Sequence, residues 1–147
     1  MDGTTAAGEF IIVMFKEVDM NRLAKYGDYA YAILRIIAGL MFAFHGAQKI
    51  LGILSDGQPP IGSQMWIGGV IELFCGLLIA GGARTRSAAF LASGEMAVAY
   101  FQFHWKFQLG PQFFPAINKG ELAVLYCFVF LFVACRGGAV WCLDKKD

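Results

Sequence analysis

Four windows of the chain are apolar around almost their whole helical circumference: about Tyr29–Leu51, Met65–Ala83, Ser87–Trp105 and Leu122–Val140. Each is close to the ~20 residues a helix needs to cross a bilayer. The segments between them carry turn formers: Ser55-Asp56-Gly57-Gln58-Pro59-Pro60, then Gly81-Gly82-Ala83-Arg84-Thr85-Arg86-Ser87, then Gly110-Pro111 through Asn118-Lys119-Gly120. A soluble helical bundle would show a polar stripe along every helix. The pattern therefore predicts an all-α protein, a bundle of four transmembrane helices occupying residues 29–144 and preceded by an N-terminal segment, 1–28.

Composition agrees. Hydrophobic residues make up 58% of the 147 and charged residues 16%, against roughly 25% charged in an average globular chain. A small soluble domain has too much surface per unit volume to manage with so few charges. The net charge of +1 supplies none of the basic field that nucleic-acid binding requires, so nucleic acid is excluded as a partner and the lipid bilayer is expected. Lys16, Arg22, Lys25, Arg84, Arg86, Arg136, Lys145 and Lys146 fall on one side of the four windows, and Lys49, Lys106 and Lys119 on the other. The positive-inside rule then puts both termini in the cytoplasm, with the chain multi-pass in the bacterial inner membrane. Trp66, Trp105, Phe113 and Phe114 would ring the outer interface; Tyr26, Tyr29, Tyr31 and Trp141 would ring the inner one. Near the start, Phe10–Phe15 is a short apolar run with no basic residue before it, unlike a signal peptide. It suits a short helix lying on the inner membrane surface, and equally a stretch that is not part of the protein, with translation starting at Met20.

Ionisable groups inside apolar spans are costly and are functional candidates by default. In the first window Arg35, His45, Gln48 and Lys49 share an arc of about 140° at 100° per residue. Glu72 lies in the second, on a face with the small residues Gly68, Gly69, Cys75 and Gly76. Glu95 lies in the third, in register with Ala88, Ala92, Ala99 and Gln102. Glu72 would sit about 10 Å below the outer boundary and Glu95 about 12 Å above the inner one, both near the midplane. His45, Gln48 and Glu121 form an outer layer, and Arg35 sits alone in the inner third. This ladder suits binding of a polar head group or relay of protons.

Plainer roles stand beside these. Arg35 could serve in an ion pair, and buried polar groups could be no more than interhelical hydrogen bonds. Lys49 could snorkel outward; His104, half a turn from Glu95, belongs on the aromatic rim. A metal at His45, Glu72, Glu95 and Glu121 would lack the Glu-x-x-His motif of bundle carboxylate sites, so no metal is expected. Cys75, Cys127, Cys135 and Cys142 show no C-x-x-C spacing and read as buried apolar side chains.

The order of motifs resembles the DoxX family of small bacterial membrane proteins. The first window reads Leu34-Arg35-Ile36-Ile37-Ala38-Gly39-Leu40-Met41-Phe42, then Phe44-His45-Gly46-Ala47-Gln48-Lys49. Gly69-Val70-Ile71-Glu72-Leu73, Thr85-Arg86, Ala99-Tyr100-Phe101 with His104, and Asn118-Lys119-Gly120-Glu121-Leu122-Ala123 follow in the family's order. The resemblance implies association with quinone-linked oxidoreductases or membrane redox homeostasis. No flavin or nucleotide fingerprint is present, so no intrinsic cofactor is expected and quinone is the expected ligand. The expectation is a subunit that binds quinone or another small apolar molecule, beside an oxidoreductase partner or in a homo-oligomer. His45 and Glu121 would meet the ligand's polar end, Glu72 and Glu95 would carry or compensate protons, and Arg35 would balance charge. The alternatives are a scaffold with no ligand and, less well matched because the spans lack proline, a small transporter.

Overall fold

The computed structural model describes Gly8 and residues 20–145, so the Phe10–Phe15 run lies outside the described residues. Among these the protein is all-helical. A short α1, Met20–Ala24, leads into α2, Gly27–Leu51; α3 is Gln64–Gly81 and α4 is Thr85–Ala99. The chain then widens into a π-helical turn, Tyr100–Trp105, passes a 3₁₀ turn at Pro111–Phe113 and the short α5, Pro115–Asn118, and closes with α6, Glu121–Arg136. Two of these, α2 and α3, are long and apolar enough to cross a membrane by length and composition. The other two long helices are shorter, at 15 residues before the π turn and 16 residues. The fourth window ends as a helix at Arg136, short of the expected Val140, because Gly137 leaves helical geometry at φ 81°.

The helices pack as two close pairs, α2 with α3 and α4 with α6, with a looser contact between α3 and α4. The first seam is built on glycine. A Cβ on Gly46 would stand 2.3 Å from the Leu73 backbone nitrogen, and one on Gly76 would stand 2.5 Å from that of Ala43. Backbone therefore lies on backbone, the usual way to pack helices when no water drives association. Ala88, Ala89 and Ala92 of α4 form a second small-residue face, buried toward α6, where Ser93 Oγ donates to the Cys127 carbonyl at 2.8 Å. Large rings fill the centre: Phe42 packs on Phe130 and Tyr126 at centroid distances of 4.7 and 5.5 Å.

Outward faces are apolar. Ile33, Ile37, Leu40 and Phe44 on α2, Phe74 and Leu77 on α3, Phe90 and Leu91 on α4, and Leu125 and Phe128 on α6 are all exposed. Such a continuous apolar surface suits lipid rather than water.

The ends are stitched by polar contacts. At one end Arg35, wholly buried, donates from Nη1 to the Ile79 and Ala80 carbonyls at 2.5 and 2.9 Å, and from Nη2 to Trp141 at 2.6 Å. It thus caps the last turn of α3, where carbonyls lack helical partners and the helix dipole favours a cation. Arg86 does the same for α6 through the Ala134 and Cys135 carbonyls, and Tyr31 Oη donates to Gly137 at 2.5 Å. Asp144 caps the start of α4, accepting from the Arg84 and Thr85 backbone N–H groups at 2.6 and 2.8 Å. At the opposite end Ser63 caps α3, and Trp105 gathers Phe101, Phe107 and Phe113 around it at 5.2–5.6 Å.

Candidate functional site

The looser contact between α3 and α4 opens into a cavity of about 740 Å³, closed on its far side by α2 and α6. That volume suits a small organic molecule. Its mouth is apolar and exposed, with Ile67, Phe90, Leu91 and Val98 at the bundle surface. Its inner wall brings together His45 and Lys49 from α2, Glu72 from α3, Glu95 from α4, His104 from the π turn and Tyr126 from α6.

Local sequence explains each placement. Glu72 projects from the buried face of α3 that also carries Gly69, Cys75 and Gly76. Its Oε1 lies 2.6 Å from Lys49 Nζ, an ion pair in which the Glu72 side chain is 5% exposed and Lys49 31%. Glu95 reaches over Gly68, one turn before Glu72: a Cβ there would meet Glu95 Oε1 at 3.0 Å. Oε2 of Glu72, Oε2 of Glu95 and the Tyr126 hydroxyl are buried without a hydrogen-bond partner among the described residues. Above the cavity Gln64 donates to Gln102, joining the start of α3 to the π turn.

Of the residues expected from sequence, the cavity gathers Glu72, Glu95 and His45. Gln48 instead donates to the Leu54 carbonyl at 3.3 Å, tying down the loop after α2. Glu121 is exposed in the first turn of α6, where a carboxylate suits the positive end of the helix dipole. Arg35 is committed to backbone carbonyls at the far end of the bundle. Accordingly His45, Glu72, Glu95 and Glu121 do not converge as one ligand set. The four cysteines are free, Cys75 buried in the core and Cys135 exposed.

Three cavity groups differ from the expectation or escaped it. Lys49 does not snorkel away; it turns inward to the Glu72 carboxylate. His104 lines the cavity instead of the rim, with Nδ1 3.3 Å from the Asn118 carbonyl. The π turn is the reason: its wider winding, closed by i to i+5 hydrogen bonds, lags the 100° step assumed for an α-helix. Tyr126 had a legible signal, a hydroxyl at the same helical face as Ala123 and Phe130, both buried.

A small helical bundle with a lipid-compatible exterior and an ion pair enclosed beside an apolar cavity defines a class: a compact membrane protein with an internal polar site. The chain belongs to the DoxX family, whose match covers residues 30–105, just over half its length and all of α3, α4 and the π turn. A protein of Haemophilus influenzae, described as uncharacterized, is 42% identical to it over 131 residues, covering 86% of this chain and 97% of its own. No solved structure matches.

Proposed function

We propose that this DoxX-family membrane protein crosses the bacterial inner membrane four times, with both termini cytoplasmic. In that setting it binds quinone or another small apolar ligand as a subunit associated with a membrane oxidoreductase. One observation carries the reading: a cavity of about 740 Å³ with an apolar, laterally exposed mouth and buried ionisable groups at its inner wall. A ligand dissolved in the bilayer could enter sideways between α3 and α4 without crossing water. Its polar end would meet His45, Lys49 and the two carboxyls, Glu72 and Glu95, which would carry or compensate protons.

Native mass spectrometry of the detergent-purified protein, with extracted lipids and an optical spectrum from the same sample, tests this. The expected result is bound quinone or a comparable apolar molecule, lost in Glu72→Gln or Glu95→Gln while the variants still fold. A clean ligand-free protein that co-purifies only with another chain would sink the proposal in favour of a scaffold. Loss of folding in both variants would make the carboxyls structural.

A further inference from the structure

A second cavity, also about 740 Å³, opens at the end of the bundle where the C-terminal segment returns, and it shares no lining residue with the first. Four cations line it: Arg84 and Arg86 around the start of α4, Arg136 at the end of α6 and Lys145 in the returning segment. Two carboxylates stand against them, Asp28 and Asp144. Asp144 spends its oxygens on the backbone N–H groups of Arg84 and Thr85, and Asp28 pairs with Arg136. The Arg84 and Lys145 side chains are exposed and have no hydrogen bond or ion pair among the described residues. The other two cations are held in place. Arg86 donates to the Ala134 and Cys135 carbonyls, and the Arg136 guanidinium lies over the Tyr31 ring at 4.4 Å. The positive-inside rule accounts for cations on one side of a membrane, but not for their meeting around one recess.

We infer that this recess binds the phosphate of an anionic membrane phospholipid. Four cations against two carboxylates leave a positive surplus, which selects an anion. Guanidinium forks match the paired oxygens of a phosphate, and three of the four cations are arginines. Arg86 and Arg136 are already ordered by their protein contacts, so little side-chain freedom is lost when a phosphate arrives. A soluble phosphate ester offers the same chemistry, but the neighbouring surface favours lipid. Phe90 stands one turn along α4 from Arg86, and Phe132 and Phe128 stand one and two turns back along α6 from Arg136. All three are exposed, so apolar side chains lead from the rim of the recess onto the lipid-facing exterior, where acyl chains would lie. A zwitterionic lipid carries a phosphate together with an ammonium, which the cations of the recess would repel. The inference is independent of the ligand proposed for the cavity between α3 and α4.

The test is a native mass spectrometric titration of the full chain, stripped of lipid in detergent, with three probes. These are dioleoylphosphatidylglycerol, dioleoylphosphatidylcholine and the soluble ester glycerol 1-phosphate. The anionic lipid should bind about tenfold tighter than the zwitterionic one, and glycerol 1-phosphate should bind far more weakly than either. Arg84→Gln and Lys145→Gln remove side chains with no partner in the protein, so the fold should survive, as circular dichroism would show. Each should weaken the anionic lipid by about fivefold and leave the zwitterionic one unchanged. Lys106→Gln, at the opposite end of the bundle, should change neither. Equal affinity for the two lipids would overturn the inference. A preference for the anionic lipid that persists in folded Arg84→Gln and Lys145→Gln would place its site elsewhere and also overturn it. Glycerol 1-phosphate binding as tightly as the anionic lipid, and weakened by the same two substitutions, would replace the lipid with a soluble phosphate ester.

Discussion

Lys49 and Glu72 make an ion pair whose two ends differ in their access to the surroundings. The carboxylate is enclosed and the ammonium about one third exposed. Removing the lysine strands the enclosed charge, whereas removing both leaves none. Lys49→Met should therefore destabilise the protein by about 2 kcal/mol, below the 3–5 typical of a fully enclosed pair because Lys49 is partly exposed. Lys49→Met combined with Glu72→Met should recover most of that loss. Thermal unfolding of the two single variants and the double variant in detergent measures the coupling; purely additive losses would show that the pair does not hold the helices together. The candidacy of Glu72 and Glu95 was legible from their position in apolar windows. The inward turn of Lys49 was not, because a lysine near a helix end can reach either way and only a neighbour's carboxylate decides.

The elements meet through surfaces of unequal tolerance. Between α2 and α3 the backbones touch, and the added methyl of Gly46→Ala would stand 2.3 Å from the Leu73 nitrogen. Neither backbone can yield without parting the helices, so the variant should lose about 1–3 kcal/mol. Gly94 on α4 offers the control, with nothing within 4 Å of an added Cβ; Gly94→Ala should be neutral or stabilising by up to about 1 kcal/mol. Melting temperatures of the two variants check the contrast, and equal effects would count against the seam. Small residues in the second window already marked a packed face. The π turn was beyond periodicity, because a single fixed step of 100° was assumed along the whole third window. That step placed His104 on the rim, where the wider winding of Tyr100–Trp105 brings it to the cavity.

Across the whole molecule, the segment after α6 folds back and locks one end of the bundle. Leu143 and Asp144 donate their backbone N–H groups to the Gly82 carbonyl at 2.9 and 2.7 Å, against a glycine with φ 69°. The Asp144 carboxyl is held below its ordinary value by the Thr85 side chain beside it, and by the backbone N–H groups of Thr85 and Arg84 and the charge of Arg35. A carboxyl depressed in the folded state stabilises fully above its unfolded value, about 3.9, and the contribution is lost as pH falls through the folded value. Asp144→Asn should thus cost about 1 kcal/mol at neutral pH, the scale of a helix cap. The gap from the parent protein should close as pH drops below the folded value; a gap independent of pH would remove the charge from the explanation. For the four-span proposal, a C-terminal green fluorescent protein fusion should fluoresce and a C-terminal alkaline phosphatase fusion should stay inactive. The reverse result would put the C-terminus outside.

By itself the sequence determined the all-helical class, the lipid-facing exterior, the family and the suspicion that falls on Glu72, Glu95 and His45. These follow from composition and from apolar windows that admit no other low-energy arrangement of backbone hydrogen bonds in lipid. The partners of the buried charges were decided by tertiary structure alone. Arg35 could have met a carboxylate, a ligand or backbone, and the closeness of the α3 terminus and the returning Trp141 carbonyl settles on backbone. The cavity likewise arises where two tight pairs of helices meet loosely, a property of how four helices pack that no single helix encodes.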